Sequence, residues 1–285
     1  MAYGRAVRVT DRHRAKGAAP LAVLTLALVI GTAVLAFGTE LHIHPPRPAP
    51  RGAHGYDISW PQCSGTDAGV VPPGDPPYVI LGLTDGTGAA PNPCLDAQVA
   101  WARANGTRIG AYLVAAYPNA GQLAAATDPP LAPCGATLSC RLRNVGTAEA
   151  AQAVATIRGL DIHPPLIWVD VEFRTDGPWS RRVAANVAVL KGIARGLHAA
   201  NMRFGVYTTP LMWTDITGKY PLRVPNWLPT GDPSARHALA LCGRTATGGP
   251  TWLVQYTRTL DEDLTCRTRS APGKAGELSR FASLR

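Results

Sequence analysis

Leu166-Ile167-Trp168-Val169-Asp170-Val171-Glu172 is an apolar run, rich in β-branched and aromatic side chains, that ends in two acids one residue apart. Such a run reads as a buried strand. Side chains on a strand alternate faces, so Asp170 and Glu172 point the same way, roughly 6.5–7 Å apart at about 3.3 Å per residue. Two like charges converging at the end of a buried strand are costly, and one is expected to hold a proton near neutral pH. A carboxyl pair of this kind is what glycoside hydrolysis requires. The same heptapeptide also fits a strand whose acids are solvated and meet neighbouring arginines.

Outward from this strand the chain alternates strand-like and helix-like segments. Gly55–Ser59, Tyr78–Leu83, Ile109–Ala115, Phe204–Tyr207 and Trp252–Tyr256 read as further strands. Leu95–Asn105 reads as a helix that stops at Asn105-Gly106, and Ala148–Arg158 as another. Ser180–Ala200 is a long amphipathic helix with Ser180 as its expected N-cap. Between Pro118 and Gly146 lies a Pro/Gly-rich loop with two cysteines, and beyond residue 210 helical signals thin out. Strands alternating with helices over this length point to an α/β fold, a TIM-type barrel of parallel strands with a strand-rich C-terminal part. In such a barrel catalytic groups sit at the C-terminal ends of the strands. Asp57, Asp85, Asp170 and Glu172 fall there, and Tyr112, Tyr207, Gln255 and Tyr256 lie on or at the ends of strands. Acids and aromatics gathered at one mouth describe a carbohydrate site.

The N-terminal region is organised differently. Residues 1–19 carry five cations against Asp11 alone, and an uncharged apolar run of nineteen residues follows, Pro20 to Gly38. At 1.5 Å per residue that run nearly spans a hydrocarbon core of about 30 Å. The excess of positive charge before it predicts a cytoplasmic basic tail (1–19), a transmembrane signal anchor (20–38) and an extracellular C-terminal part. A cleaved signal peptide and a secreted protein is the rival reading, with Val34-Leu35-Ala36 as a small-residue cleavage site. The apolar run exceeds the 7–15 residues of an ordinary signal-peptide core, which favours the anchor. Residues 39–54, with His42-Ile43-His44-Pro45-Pro46-Arg47-Pro48, read as an extended spacer, and residues 55–285 as one domain.

The net charge of +9 is in part this topology signal, since residues 55–285 hold only +4. No cluster of cations with interleaved aromatics occurs there, which argues against nucleic acid as a partner. All six cysteines (Cys63, Cys94, Cys134, Cys140, Cys242, Cys266) follow the apolar run. An even number in an exported domain implies disulfides. Six cysteines allow fifteen pairings; proximity suggests Cys63–Cys94, Cys134–Cys140 and Cys242–Cys266. Without a CxxC pair or suitably spaced histidines, no metal site is expected.

Taken in order, these segments resemble the glycoside hydrolase family 25 lysozymes. Gly55-Tyr56-Asp57-Ile58-Ser59 resembles that family's opening Gly-x-Asp-x-Ser strand, with Gln62 soon after it. Val79–Gly86 is similar to the second strand, with Thr84-Asp85-Gly86 where Thr-Glu-Gly is usual. Ile109-Gly110-Ala111-Tyr112 resembles the third strand, and Val169-Asp170-Val171-Glu172 the catalytic Asp-x-Glu. Phe204–Thr208 and Trp252–Tyr256 resemble the sixth and eighth strands, and Asp263 falls where the family has a late site acid. Departures are Trp60-Pro61-Gln62-Cys63 after the first strand, Leu113-Val114 after the third, the cysteines, and the insertion near residues 118–146. The resemblance, covering roughly residues 55–266, implies an irregular barrel whose final strands lose their helices, and cleavage of the peptidoglycan glycan backbone without a cofactor. It implies Asp170 and Glu172 as catalytic residues. Asp57, Asp85, Tyr112, Tyr207, Gln255, Tyr256 and Asp263 become substrate-binding or supporting ones. Loss of catalysis in such a fold would leave a cell-wall glycan-binding domain, the rival function. A serine hydrolase is disfavoured by the lack of a G-x-S-x-G elbow. A nucleotide-binding protein is disfavoured because Gly86-Thr87-Gly88 lacks the remainder of a phosphate loop.

Overall fold

The computed structural model describes residues 52–64, 67–84, 90–126, 134, 137–173 and 178–266. The basic tail, the apolar run, most of the spacer and Asp85 lie outside them. Among the described residues no helix is long and apolar enough to cross a membrane.

Eight strands close into one barrel in sequence order: β1 (His54–Ile58), β2 (Tyr78–Gly82), β3 (Arg108–Val114), β4 (Ile167–Asp170), β5 (Phe204–Tyr207), β6 (Asn226–Pro229), β7 (Thr251–Thr257) and β8 (Asp261–Thr265). Neighbours from β1 to β7 run parallel. β8 is antiparallel to both β7 and β1, the irregularity of the expected barrel in its strand-rich C-terminal part. A crossover helix is obligatory only between parallel strands, so a short turn suffices between β7 and β8. The helices are α1 (Leu95–Ala104), α2 (Ala120–Ala125), α3 (Leu138–Gly159), α4 (Val183–Ala199), α5 (Pro210–Thr217) and α6 (Ala235–Ala240).

Alternation along the strands sorts the core into two layers. Val79, Leu81, Leu113, Ile167 and Val169 face outward and pack under the helices. Tyr78, Ile80, Tyr112, Trp168 and Trp227 fill the barrel itself. Trp168, the aromatic centre of the decisive heptapeptide, is fully buried. A strand buried on both faces has no polar alternation to show, which is why that run reads as continuous apolar sequence.

Several boundaries differ from the sequence reading. α3 begins at Leu138, ten residues before the expected Ala148, and takes up Cys140. Gly146 obscures it, but this glycine and Gly192 on α4 are what let the two helices touch. A Cβ at Gly146 would sit 2.1 Å from the Val189 carbonyl oxygen, and one at Gly192 would sit 2.0 Å from that of Arg143. Gly192→Ala must therefore push the helices apart, and a destabilisation of about 1–3 kcal/mol is expected from urea unfolding. α4 starts at Val183 rather than after Ser180, because the Ser180 hydroxyl instead accepts the Arg182 N–H at 3.1 Å. β6, only four residues long, and β8, rich in polar residues, were not expected from the sequence.

The three disulfides are Cys63–Cys94, Cys134–Cys140 and Cys242–Cys266, and no cysteine is free. The first ties the segment after β1 to the start of α1. The last ties the segment before β7 to the end of β8.

Candidate active site

The C-terminal ends of the parallel strands surround an open cleft enclosing about 550 Å³. Each of its acids arrives by the alternation rule. Asp57 is the inward residue of β1, Asp170 the last residue of β4, and Glu172 the next inward position beyond it. Asp261 opens β8 on the same side. Tyr112, Tyr207, Trp227 and Gln255 supply the rest of the inner wall, and Ser59, Trp60 and Gln62 one rim. No cation lines the cleft among the described residues.

Asp170 is buried and Glu172 half-exposed, so the pair spans the boundary between barrel interior and solvent. The backbone beneath them is pinned from both sides. The Val171 N–H donates to the Tyr207 carbonyl at 2.9 Å, and the Thr208 hydroxyl donates to the Val171 carbonyl at 2.8 Å. Trp179 Nε1 donates to the Glu172 carbonyl at 2.8 Å, which fixes where that side chain leaves the strand.

A hydrogen-bonded chain runs under the acids. The Tyr207 hydroxyl donates to Gln255 Oε1 at 2.8 Å, and Gln255 Nε2 donates to Asp57 Oδ2 at 2.7 Å. Behind Asp57 lies Asp263, fully buried, with Trp227 Nε1 donating to its Oδ1 at 2.8 Å. No N–H or hydroxyl reaches Asp263 Oδ2. Burial, first, and then a neighbouring carboxylate, Asp261 beside Asp57 and Asp57 beside Asp263, hold both carboxyls well above the usual carboxylate range. A proton kept on one of the two supplies the donor that Asp263 Oδ2 lacks. Burial likewise raises the Tyr112 and Tyr207 phenols well above their ordinary value, so both remain neutral hydroxyl donors.

Tyr112 reaches the cleft only because β2 carries Gly82 beside it. A Cβ there would lie 2.5 Å from Ser59 Cβ and 2.7 Å from the Tyr112 ring. Behind this corner Asn92 Nδ2 donates to the Gly82 carbonyl at 2.8 Å and to Gln98 Oε1 at 2.9 Å. Gln98 Nε2 donates in turn to the Ser59 carbonyl at 2.9 Å. These buried amides hold the rim of the cleft without entering it.

Of the residues singled out in the sequence, Asp57, Tyr112, Asp170, Glu172, Tyr207 and Gln255 meet in the cleft. Asp263 stands one layer below it. Asp85 lies outside the described residues. Tyr256 does not belong to the site. It follows Gln255 on β7 and so points out of the barrel, where its hydroxyl donates to Glu262 Oε2 beside His54. Asp261, Trp227, Ser59 and Trp60 were missed. Asp261 had a signal, because it is two residues from Asp263 and shares its face. Trp227 had none, since Asn226–Pro229 carries no strand pattern.

Comparison with known proteins gives a consistent result. A family model described as lysozyme-like protein 1 matches residues 98–227. A curated relative, the probable GH family 25 lysozyme 4 of Dictyostelium discoideum, is 32% identical over 77 residues, 25% of this chain and 35% of the relative. The chain thus aligns with about a third of that relative's length. Among solved structures, the spore cortex lytic enzyme SleM of Clostridium perfringens is similar with a TM-score of 0.52 and 14% identity, over 78% of this chain and 70% of that one. The Streptococcus pneumoniae glycosyl hydrolase 25 GHIP has a TM-score of 0.50 and 13% identity, over 80% of this chain and 91% of that one. At such identities these two likenesses bear on the fold.

Proposed function

We propose that the chain is a glycoside hydrolase family 25-like protein, a cell-envelope muramidase that cleaves the glycan backbone of peptidoglycan by carboxylate chemistry. One observation carries the reading: Asp57, Asp170, Glu172 and Asp261 converge on one open cleft walled by Tyr112, Tyr207 and Trp227. A site that stabilises an oxocarbenium-like transition state has reason to stay negative.

In this mechanism Glu172, at the solvent edge, protonates the leaving glycosidic oxygen as the C1–O bond breaks. The strand spacing of about 6.5–7 Å between Asp170 and Glu172 is wider than the 5–5.5 Å of a direct carboxylate nucleophile. Asp170 instead orients the substrate's own acetamido group, whose carbonyl oxygen closes on C1, and its charge stabilises the cation so formed. Water, deprotonated by Glu172, then reopens the ring and restores the acid. Asp57, held by Gln255 and Tyr207, positions the sugar and Asp170. Tyr112, Trp60 and Trp227 offer ring surfaces to sugar faces. Residues 20–38 anchor the protein in the membrane, with residues 1–19 inside and the barrel outside.

The test is digestion of purified peptidoglycan by the full chain, with the new reducing ends identified. Release of muramic acid ends supports the reading. Binding without new reducing ends across pH 4–8 replaces it with the non-catalytic glycan-binding domain. A finer expectation follows from the outward course of Tyr256. Tyr207→Phe breaks the chain to Gln255 and Asp57 and should lower kcat/KM about tenfold, the effect of losing about 1.4 kcal/mol of positioning. Tyr256→Phe should leave kcat/KM unchanged. Steady-state turnover of the two variants separates them.

A further inference from the structure

The end of the barrel opposite the cleft carries a second, larger cavity and the opposite charge. In a barrel of parallel strands this base gathers the starts of the strands and the ends of the helices. Arg108 opens β3, Arg203 immediately precedes β5, and Arg103 and Arg158 stand in the last turns of α1 and α3. Arg223 and Arg244 lie in the loops that lead into β6 and β7. The Arg223 N–H donates to the Thr247 carbonyl, and the Thr251 hydroxyl donates to the Arg244 carbonyl. All but Arg108 are exposed. The acids of the base among the described residues are Asp75, just ahead of β2, Asp215, exposed in the last turn of α5, and Asp161, which is paired with His163 at 3.2 Å.

The cavity lies within this face, between the start of β3 and the α3–β4 loop, and encloses about 750 Å³. Arg103, Arg108 and His163 are at its walls together with Asp161, the partner of His163, and Tyr78, Ile109 and Ile162 supply apolar lining. Arg103 Nη2 is anchored on the carbonyls of Leu160 and Asp161 at 2.7 and 2.9 Å, which sets the guanidinium at the opening and leaves Nε and Nη1 for a ligand. Thr107, also in the lining, is buried, and its hydroxyl has no hydrogen-bond partner. A planar guanidinium fork, a histidine and an unsatisfied hydroxyl around a half-apolar hollow match a phosphate attached to an organic group.

We propose that the base of the barrel is a docking surface for anionic phospholipid headgroups, with one headgroup phosphate seated in the cavity between Arg103, Arg108 and His163. This rests on the membrane-anchored reading above. The polypeptide enters β1 at this end, so the spacer is attached to the basic face. Fifteen residues separate the apolar run from β1 and can span at most on the order of 50 Å, so the tether alone does not orient the barrel. Attraction between the arginines and an anionic leaflet selects base-down, and the cleft then faces away from the membrane, toward the wall. The two faces divide the work by charge. The acidic one handles the glycan and the basic one holds the lipid.

The full chain reconstituted in vesicles of phosphatidylcholine or of phosphatidylglycerol tests this by hydrogen–deuterium exchange. Peptides covering residues 103–110 and 157–166 should be protected on phosphatidylglycerol only, and protection should fade at high salt. Removing arginines should shift the docked-to-free ratio about fivefold for each one lost. The double substitution Arg103→Gln and Arg108→Gln should abolish protection without changing glycan cleavage. Arg158→Gln, at an exposed helix end, gives the same test by a smaller step if the double variant fails to fold. Equal exchange on both lipids overturns the proposal. So does protection induced on phosphatidylcholine by soluble poly(glycerol phosphate) but not by phosphatidylglycerol, which would assign the face to a wall polymer. Flotation separates the two readings. A chain that floats with phosphatidylglycerol but not with phosphatidylcholine keeps the docking surface and loses the anchor. One that floats with both, without lipid-dependent protection, keeps the anchor and loses the docking surface.

Discussion

Replacing Glu172 by glutamine should abolish glycan cleavage while leaving the melting temperature nearly unchanged. The amide keeps the size and shape of the carboxyl and the backbone hold of Trp179 on the Glu172 carbonyl. It cannot give a proton to the departing oxygen. General acids contribute about 10²–10⁴-fold, so kcat should fall by at least two orders of magnitude with KM little altered. Asp170→Asn should be similarly impaired, because an amide does not stabilise developing positive charge as a carboxylate does. A leaving group of low pKa, which departs without protonation, should restore a burst of its release in Glu172→Gln, limited afterwards by the water step that Glu172 also serves, and none in Asp170→Asn. Equal turnover by wild type and Glu172→Gln on natural glycan would remove Glu172 from the chemistry. Failure of the activated substrate to rescue would point to a positioning role.

The second large effect is on stability, at a residue far from the cleft. Glu149 lies on α3, where its neighbours Ala150, Ala153 and Val154 belong to the apolar core between barrel and helices. Both its carboxyl oxygens are buried without a hydrogen-bond partner, and burial pushes its pKa up to about 8. The folded chain therefore binds this proton more tightly than the unfolded one. The contribution is fully present below the unfolded value of about 4.5 and is lost as pH rises toward about 8. At pH 7 the linkage costs about 3 kcal/mol, at 1.36 kcal/mol per pH unit crossed. Glu149→Met, similar in volume and apolar, should stabilise the protein by about that amount at pH 7 and by clearly less at pH 4.5. Urea unfolding at the two pH values measures both. A destabilised variant, or one whose gain does not depend on pH, would show that the carboxyl is satisfied in solution. No part of the proposed chemistry uses Glu149.

Much of the site was legible because it depends on a period of two. Asp170 and Glu172 share a face whatever surrounds them, and Asp57, Tyr112 and Tyr207 could be placed at strand ends before any fold was known. The same rule, applied strictly, allows only one of Gln255 and Tyr256 to face the cleft. The structure chooses Gln255, and only the closing of β7 against β8 and β6 says which. The order of short motifs and the pairing of the cysteines were likewise readable from the chain, since nearby cysteines close the loops that cost least.

The alternation that sets which side chains share a strand face, and the succession of strands and helices that implies a barrel, can both be read along the chain. Everything set by closure of the barrel waits for the fold. Asp261 and Asp263 are equivalent on β8 until the barrel forms. One then opens into solvent at the mouth, and the other is sealed beneath Asp57 with Trp227 as its partner. Glu149 looks like an ordinary solvated charge in an alanine-rich helix until α3 lies on the barrel. The concentration of arginines at the base is invisible along the chain, where they are spread from Arg103 to Arg244. The physical reason is the same in each case. Which face a side chain shares with its near neighbours is settled by local backbone geometry. Whether that face meets water, a charge or another strand depends on contacts between residues distant in sequence.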